Sequence, residues 1–114
     1  MNSVTSTIDW CETNYQITDK IAEFENSISC LVFIILPFLA WNLHYKKNVF
    51  ELIENRFHIL NFLYICIGVG SILFHSQLSK LGQTLDEVAM MCTLFQILWI
   101  LKNETQICYS ETKY

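Results

Sequence analysis

Charge is what this sequence lacks where it matters most. Between Arg56 and Lys80 there is no Asp, Glu, Lys or Arg, and charged residues make up only 16% of the 114, against 53% hydrophobic. The hydrophobic residues are bunched rather than spread along amphipathic faces, so the chain reads as a membrane protein and not as a small soluble domain. There is no basic run and no interleaving of basic with aromatic residues, and the net charge is −4, so the electrostatic footprint of a nucleic-acid binder is missing. No CxxC pair occurs among the five cysteines, which speaks against a cysteine-only zinc site. The first 25 residues are polar and hold Asp9, Glu12, Asp19, Glu23 and Glu25, so no cleavable signal peptide is visible. Membrane insertion is then expected to start from the first apolar segment. There is no internal repeat and no low-complexity segment.

What is present divides into an acidic amino-terminal segment (1–25), three apolar segments within 26–101, and a polar tail (102–114). Residues 26–45 carry no charged side chain, and at ~1.5 Å per residue they span a ~30 Å hydrocarbon core. Pro37 within them predicts a kink. The second span is 57–79, where Gly68 and Gly70 let another helix approach closely. The third is 84–101, with Asp86 and Glu87 expected in its first turn, where acids suit the helix dipole. The expected fold class is an all-α integral membrane protein of three transmembrane helices behind an acidic amino-terminal segment. Lys46, Lys47, Arg56, Lys102 and Lys113 fall on one side of these spans and Lys20 and Lys80 on the other. That bias predicts a cytosolic first loop and a lumenal or external amino terminus. The sequon at Asn103 would then face the cytosol and stay unmodified. Trp41, Trp99 and Tyr45 read as interface anchors, and His44 and His58 as interfacial residues.

A polar trio stands at the rim of the most apolar part. Ser71 and His75 are four apart and share a helical face, and Asp86 follows a short turn and can fold back beside them. Polar groups in such places are costly and usually functional. A serine, an imidazole and a carboxylate at one membrane rim suggest a metal-assisted hydrolase. In the proposed topology the acidic amino-terminal segment meets them on the same side.

That segment, Ser6-Thr7-Ile8-Asp9-Trp10-Cys11-Glu12-Thr13-Asn14-Tyr15, places oxygen donors at 9, 12 and 14, with Glu23 nine residues on. Hard donors this dense suit Ca²⁺, although the spacing is not that of an EF-hand. On spacing alone such a cluster is more often a solvated acidic start with helix caps, and Thr18 is a candidate cap for a helix entering the membrane. Cys30, Cys66 and Cys92 lie in apolar stretches and read as packing residues. Cys11 fits a disulfide in an oxidising lumen or a free thiol equally well.

Four blocks together resemble the alkaline ceramidases, seven-span membrane amidases of the endoplasmic reticulum and Golgi. They are Ser-Thr-Ile-Asp-Trp-Cys-Glu-x-Asn-Tyr from Ser6, Ile-Ala-Glu-Phe-x-Asn from Ile21, Gly-Ser-x-x-Phe-His from Gly70 and Leu-Asp-Glu from Leu85. The resemblance runs from about residue 6 to 101 and implies that the three spans are the first part of a seven-helix bundle. It implies that Asp9, Glu12, Asn14 and Glu23 bind Ca²⁺ through side chains and Trp10 through its carbonyl. By the same resemblance His75 is a zinc ligand, Ser71 the serine beside the metal, and Asp86 the carboxylate that handles the proton. Cys11 matches a cysteine that the family ties to a later lumenal segment. The implied reaction is hydrolysis of ceramide to a sphingoid base and a fatty acid. Zinc would bind the amide carbonyl or a water, Asp86 would act as general base and then acid, and Ser71 would donate to the oxyanion.

The chain departs from the family pattern in ways that matter. The family supplies two further zinc histidines from a His-x-x-x-His pair, and no histidine follows His75 here. A catalytic zinc normally takes three protein ligands, so the chain reads as an incomplete form. The alternative function is a catalytically inactive membrane protein that binds sphingolipid or regulates a full-length relative through its transmembrane helices. Glu25 stands where the family usually has an aromatic residue, and Cys30 where it often has asparagine.

Overall fold

The computed structural model describes residues 6–7, 11–48 and 50–112. Four helices account for most of them: α1 (Phe24–Ser29), α2 (Val32–Lys46), α3 (Asn55–Gln77) and α4 (Lys80–Thr112). By length and hydropathy three stretches are able to cross a membrane: Phe24–Lys46, in which α1 and α2 run on from each other, Asn55–Gln77 and Lys80–Thr112. No strand forms among the described residues. The protein is an all-helical integral membrane protein.

The packing explains why a bilayer is needed. Among the described residues the buried apolar side chains are few, Ala22, Cys30, Pro37, Ile67, Phe74, Leu78, Ala89 and Ile100, while large apolar side chains along every span are exposed. In water so small a core would leave the apolar exterior uncompensated, whereas hydrocarbon solvates it directly.

Small residues bring the helices together. A methyl group added at Gly70 would stand 3.0 Å from the backbone nitrogen of Asp86, and one at Gly82 would stand 2.8 Å from the backbone of Phe74. Reciprocal glycines on α3 and α4 therefore allow backbone to meet backbone, the small-residue solution that membrane helices favour. Gly68 faces α2 instead, against Phe33 and Ile34. The pair of glycines expected to admit one neighbour thus admits two different helices, because residues two apart on a helix point in divergent directions.

Three local features differ from the sequence reading. The interruption in the first span lies at Cys30–Leu31, about two turns before Pro37. There Leu31, Phe33 and Ile34 donate to carbonyls three residues back, at 3.0–3.1 Å, which tightens the turn just where Gly68 approaches. Only Leu78 and Ser79 separate α3 from α4, so α4 begins earlier than residue 84 and holds no acid in its first turn. Asp86 lies a full turn further in, away from the dipole position expected for it. Finally, α4 continues beyond Leu101 to Thr112, and its 33 residues run about 50 Å of the molecule's 65 Å long axis.

Candidate active site

The turn from α3 to α4 is the platform of the site. Leu78 takes a left-handed backbone (φ 48°) and is completely buried, closing α3 and packing with Ala22 and Phe74, with Tyr15 against the cluster. A leucine pays for that conformation in strain, and here its side chain seals the space beneath the amino-terminal segment. The segment is stitched onto the turn by backbone bonds: Ser6 N to Leu78 O (2.9 Å), Ala22 N to Ser76 O (2.8 Å) and Glu23 N to His75 O (2.9 Å). Gln83 adds a side-chain clasp, accepting from Thr7 N at 2.9 Å and donating to Thr7 Oγ1 at 2.7 Å.

Beneath this cap lies the trio. Ser71 and Asp86 are both buried and stand together at the α3–α4 contact, where the neighbouring Gly70 packs on the Asp86 backbone. His75 lies one turn after Ser71, close enough to Asp86 for electrostatic interaction. The closeness follows from the glycines, since Gly70 rests on Asp86 itself and leaves the next residue, Ser71, at the helix contact. Asp86 Oδ1 is buried with no hydrogen-bond partner among the described residues, an acceptor with capacity in hand. The structure thus brings Ser71, His75 and Asp86 to one place.

Glu23 completes the arrangement from above. Its carboxylate is fully buried and faces Nδ1 of His75 through Oε2, which also accepts from the Asn26 side-chain amide at 3.2 Å. A carboxylate on Nδ1 sets the ring orientation and, in the neutral ring, leaves the lone pair on Nε2, the arrangement that supports ligating or proton-handling histidines. A buried carboxylate is tolerable only when paired in this way.

The acidic segment has a second carboxylate at work. Glu12 receives the backbone N–H groups of Glu25 (2.7 Å) and Asn26 (3.0 Å), so it caps α1 from thirteen residues away. The cap expected from Thr18 is therefore supplied by Glu12. Thr18 Oγ1 instead accepts a local bond from Lys20 N at 3.3 Å. Glu12 and Glu23 both reach Asn26, one at its backbone and one at its side chain. Asp9 and Trp10 lie outside the described residues. Asn14 is half-buried one residue before Tyr15, whose N–H bonds Ala22 O at 2.7 Å. No group of three or more His, Cys, Asp or Glu side chains able to hold a metal forms among the described residues.

This geometry sits on a chain that matches the ceramidase family model over residues 2–112. The chain belongs to the ceramidase family. Among its relatives, the alkaline ceramidase of Drosophila melanogaster is 37% identical over 109 residues, covering 96% of this chain and 35% of that protein. The Saccharomyces cerevisiae alkaline ceramidase YPC1 is 39% identical over 102 residues, 90% of this chain and 31% of the relative. Human alkaline ceramidase 1 is 37% identical over 111 residues, 91% of this chain and 38% of the relative. The chain thus spans about a third of the length of the ceramidases it matches.

Several residues that build this ceramidase-family site have no local signature. Gln83 and Thr7 are 76 residues apart, and nothing in either neighbourhood announces their pairing. Asn26, which gathers Glu12 and Glu23, stands in the Ile-Ala-Glu-Phe-x-Asn block and was readable only as part of that motif. Arg56 is the other surprise. It ends the charged loop in sequence, yet it is buried at the opposite end of the bundle, with Nε 2.7 Å from Glu54 and its guanidinium bonded to Glu104 at 2.5 Å.

Proposed function

We propose that this chain supplies the catalytic rim of a ceramide amidase, in which ceramide is hydrolysed to a sphingoid base and a fatty acid. The observation that carries the reading is the meeting of buried Ser71 and Asp86, the latter with an unpartnered oxygen, beside a carboxylate-held His75. Asp86 takes a proton from the attacking water through its unpartnered oxygen and later returns it to the leaving nitrogen. Ser71, at the same point, donates to the amide oxygen as negative charge develops on it. Glu23 keeps His75 turned toward the pair. The alkyl chains enter between the spans, since their exposed apolar faces are continuous with lipid.

His75 is proposed as one zinc ligand. One imidazole and one nearby carboxylate fall short of the three protein donors that a catalytic zinc takes, so these residues alone do not fit the metal, and no step is assigned to it. Asp9, Trp10, Glu12, Asn14 and Glu23 are proposed to hold Ca²⁺. The support is that Glu12 and Glu23 converge on Asn26, and each carboxylate has lone pairs beyond those already used. The same reading puts the cap on the lumenal side of an endoplasmic reticulum or Golgi membrane, on the strength of the basic first loop.

The test is a chimera in which residues 2–112 replace the matching third of the yeast relative. Fatty acid release from ceramide is expected, and Asp86→Asn or His75→Ala should lower it more than about a hundredfold. A folded chimera that cleaves ceramide equally well with Asp86→Asn would remove the mechanism. A second reading rests on the single imidazole: the 114 residues by themselves bind sphingolipid or a full-length relative without cleaving. Ceramide turnover by the purified 114-residue chain, lost on His75→Ala, would sink that one.

A further inference from the structure

The groups of the site are carried by different pieces of the fold. Ser71 and His75 stand on α3, Glu23 reaches His75 from the amino-terminal segment, and Asp86 stands on α4. The segment is bound to α3 through main-chain atoms, Ala22 N to Ser76 O and Glu23 N to His75 O, whereas its clasp to α4 is the side chain of Gln83. We propose that Gln83 is a positioning residue of the amidase reaction, holding the turn of α4 that carries Asp86 in register with the cap that holds His75. The role rests on the amidase assignment made above and adds to it a residue that touches none of the reacting atoms.

The Gln83 amide is fully committed. Its side chain is buried, Oε1 accepts from Thr7 N at 2.9 Å, and Nε2 donates to Thr7 Oγ1 at 2.7 Å and to Glu87 Oε1 at 3.1 Å. Both amide hydrogens are therefore used. Turning the amide over would set an N–H against the Thr7 N–H, so one orientation alone is satisfied. One side chain thus grips Thr7 by its main chain and its hydroxyl together, and a buried network satisfied in this way is rigid.

Its place on α4 ties this grip to the chemistry. Gln83 comes three residues before Asp86 and four before Glu87, so the three share a helical face. Gly82, next to it, lets this turn meet the backbone of Phe74, which fixes α4 against α3. Gln83 adds the contact with the cap. It also holds the Glu87 carboxylate along α4, which leaves Asp86 as the acid at the α3–α4 contact. A displacement of about 1 Å at a reacting group costs on the order of a hundredfold in rate. Loosening this turn therefore acts on kcat, while alkyl chains bound between the spans keep KM.

The test has two parts. In the full chain in micelles, hydrogen exchange at the Thr7 amide should quicken at least about tenfold in Gln83→Leu. It should stay near the parent rate in Gln83→Glu, whose two oxygens still accept from the Thr7 N–H and hydroxyl. Unchanged exchange in Gln83→Leu would overturn the clasp. In the chimera with the yeast relative, with rates taken per folded molecule as counted by protease protection, Gln83→Leu should lower kcat about tenfold and leave KM within about twofold. Gln83→Glu, which sets a like charge against Glu87, should lower kcat about threefold, as should Thr7→Val, and Thr7→Ser should restore the parent value. In an Asp86→Asn background Gln83→Leu should cost nothing further, because it acts through Asp86. A second full tenfold loss there would reduce Gln83 to a stabilising residue and overturn the proposal. A parent chimera that releases no fatty acid would overturn the amidase assignment and this role with it. An active parent whose Gln83→Leu form keeps its kcat would overturn the role alone.

Discussion

The two ends of the helical bundle solve the same problem in opposite ways. At the capped end, a fully buried carboxylate, Glu23, is held against His75 by residues that enter from far away in the chain. At the loop end, buried Arg56 is held by Glu54 and Glu104, whose side chains are 64% and 50% exposed. Water reaches the partners at the loop end and not at the capped end. A desolvated pair is strong when intact and costly when broken, while a wet pair is tolerant of both. The capped end is therefore built for fixed geometry, and the loop end as a solvent-screened tie between α3 and α4.

This contrast can be broken by four substitutions of decreasing effect. Glu23→Ala should be the most damaging, costing about 3 kcal/mol, because it leaves His75 facing an uncompensated buried space. Detergent-titrated unfolding and protease protection of residues 6–29 would register it, and a loss no larger than that of a loop-end variant would erase the distinction. Gly82→Ala comes next at about 2 kcal/mol, since its methyl group meets the backbone of Phe74 rather than a side chain that can yield. Cross-linking between α3 and α4 in micelles should fall with it. Glu12→Ala removes a cap worth about 1 kcal/mol, which faster hydrogen exchange at the Glu25 and Asn26 amides would show while the spans stay protected. Glu104→Gln should cost less than about 1 kcal/mol, and its effect should vanish in high salt. Salt-independent destabilisation there would mean that Arg56 is sealed from water after all.

Much of this was legible in the residues. Three uncharged runs marked the spans, and the four-residue spacing of Ser71 and His75 placed them on one face. Gly68 and Gly70 announced close packing. Other features were not readable locally. The Thr18 cap lost to Glu12 because a carboxylate thirteen residues before the helix competes only once the segment has folded back. The start of α4 was placed too late, because its first turn, Lys80-Leu81-Gly82-Gln83, looks like a turn until Gly82 is seen packing on Phe74. Arg56 looked like a loop charge for the same reason: its burial depends on Glu104, 48 residues on.

The sequence by itself determined that this protein lives in a membrane, which stretches of these residues are apolar enough to cross it, and which ceramidase-family motifs it carries. Those properties follow from runs of apolar side chains and from short motifs, and both are local. Only the tertiary structure decided that Glu23 faces His75, that Gln83 clasps Thr7, and that Asp86 leaves one oxygen unpartnered beside Ser71. Each of these depends on backbone contacts between distant segments, which glycine-sized gaps and the buried Leu78 turn permit, and no window of sequence contains them.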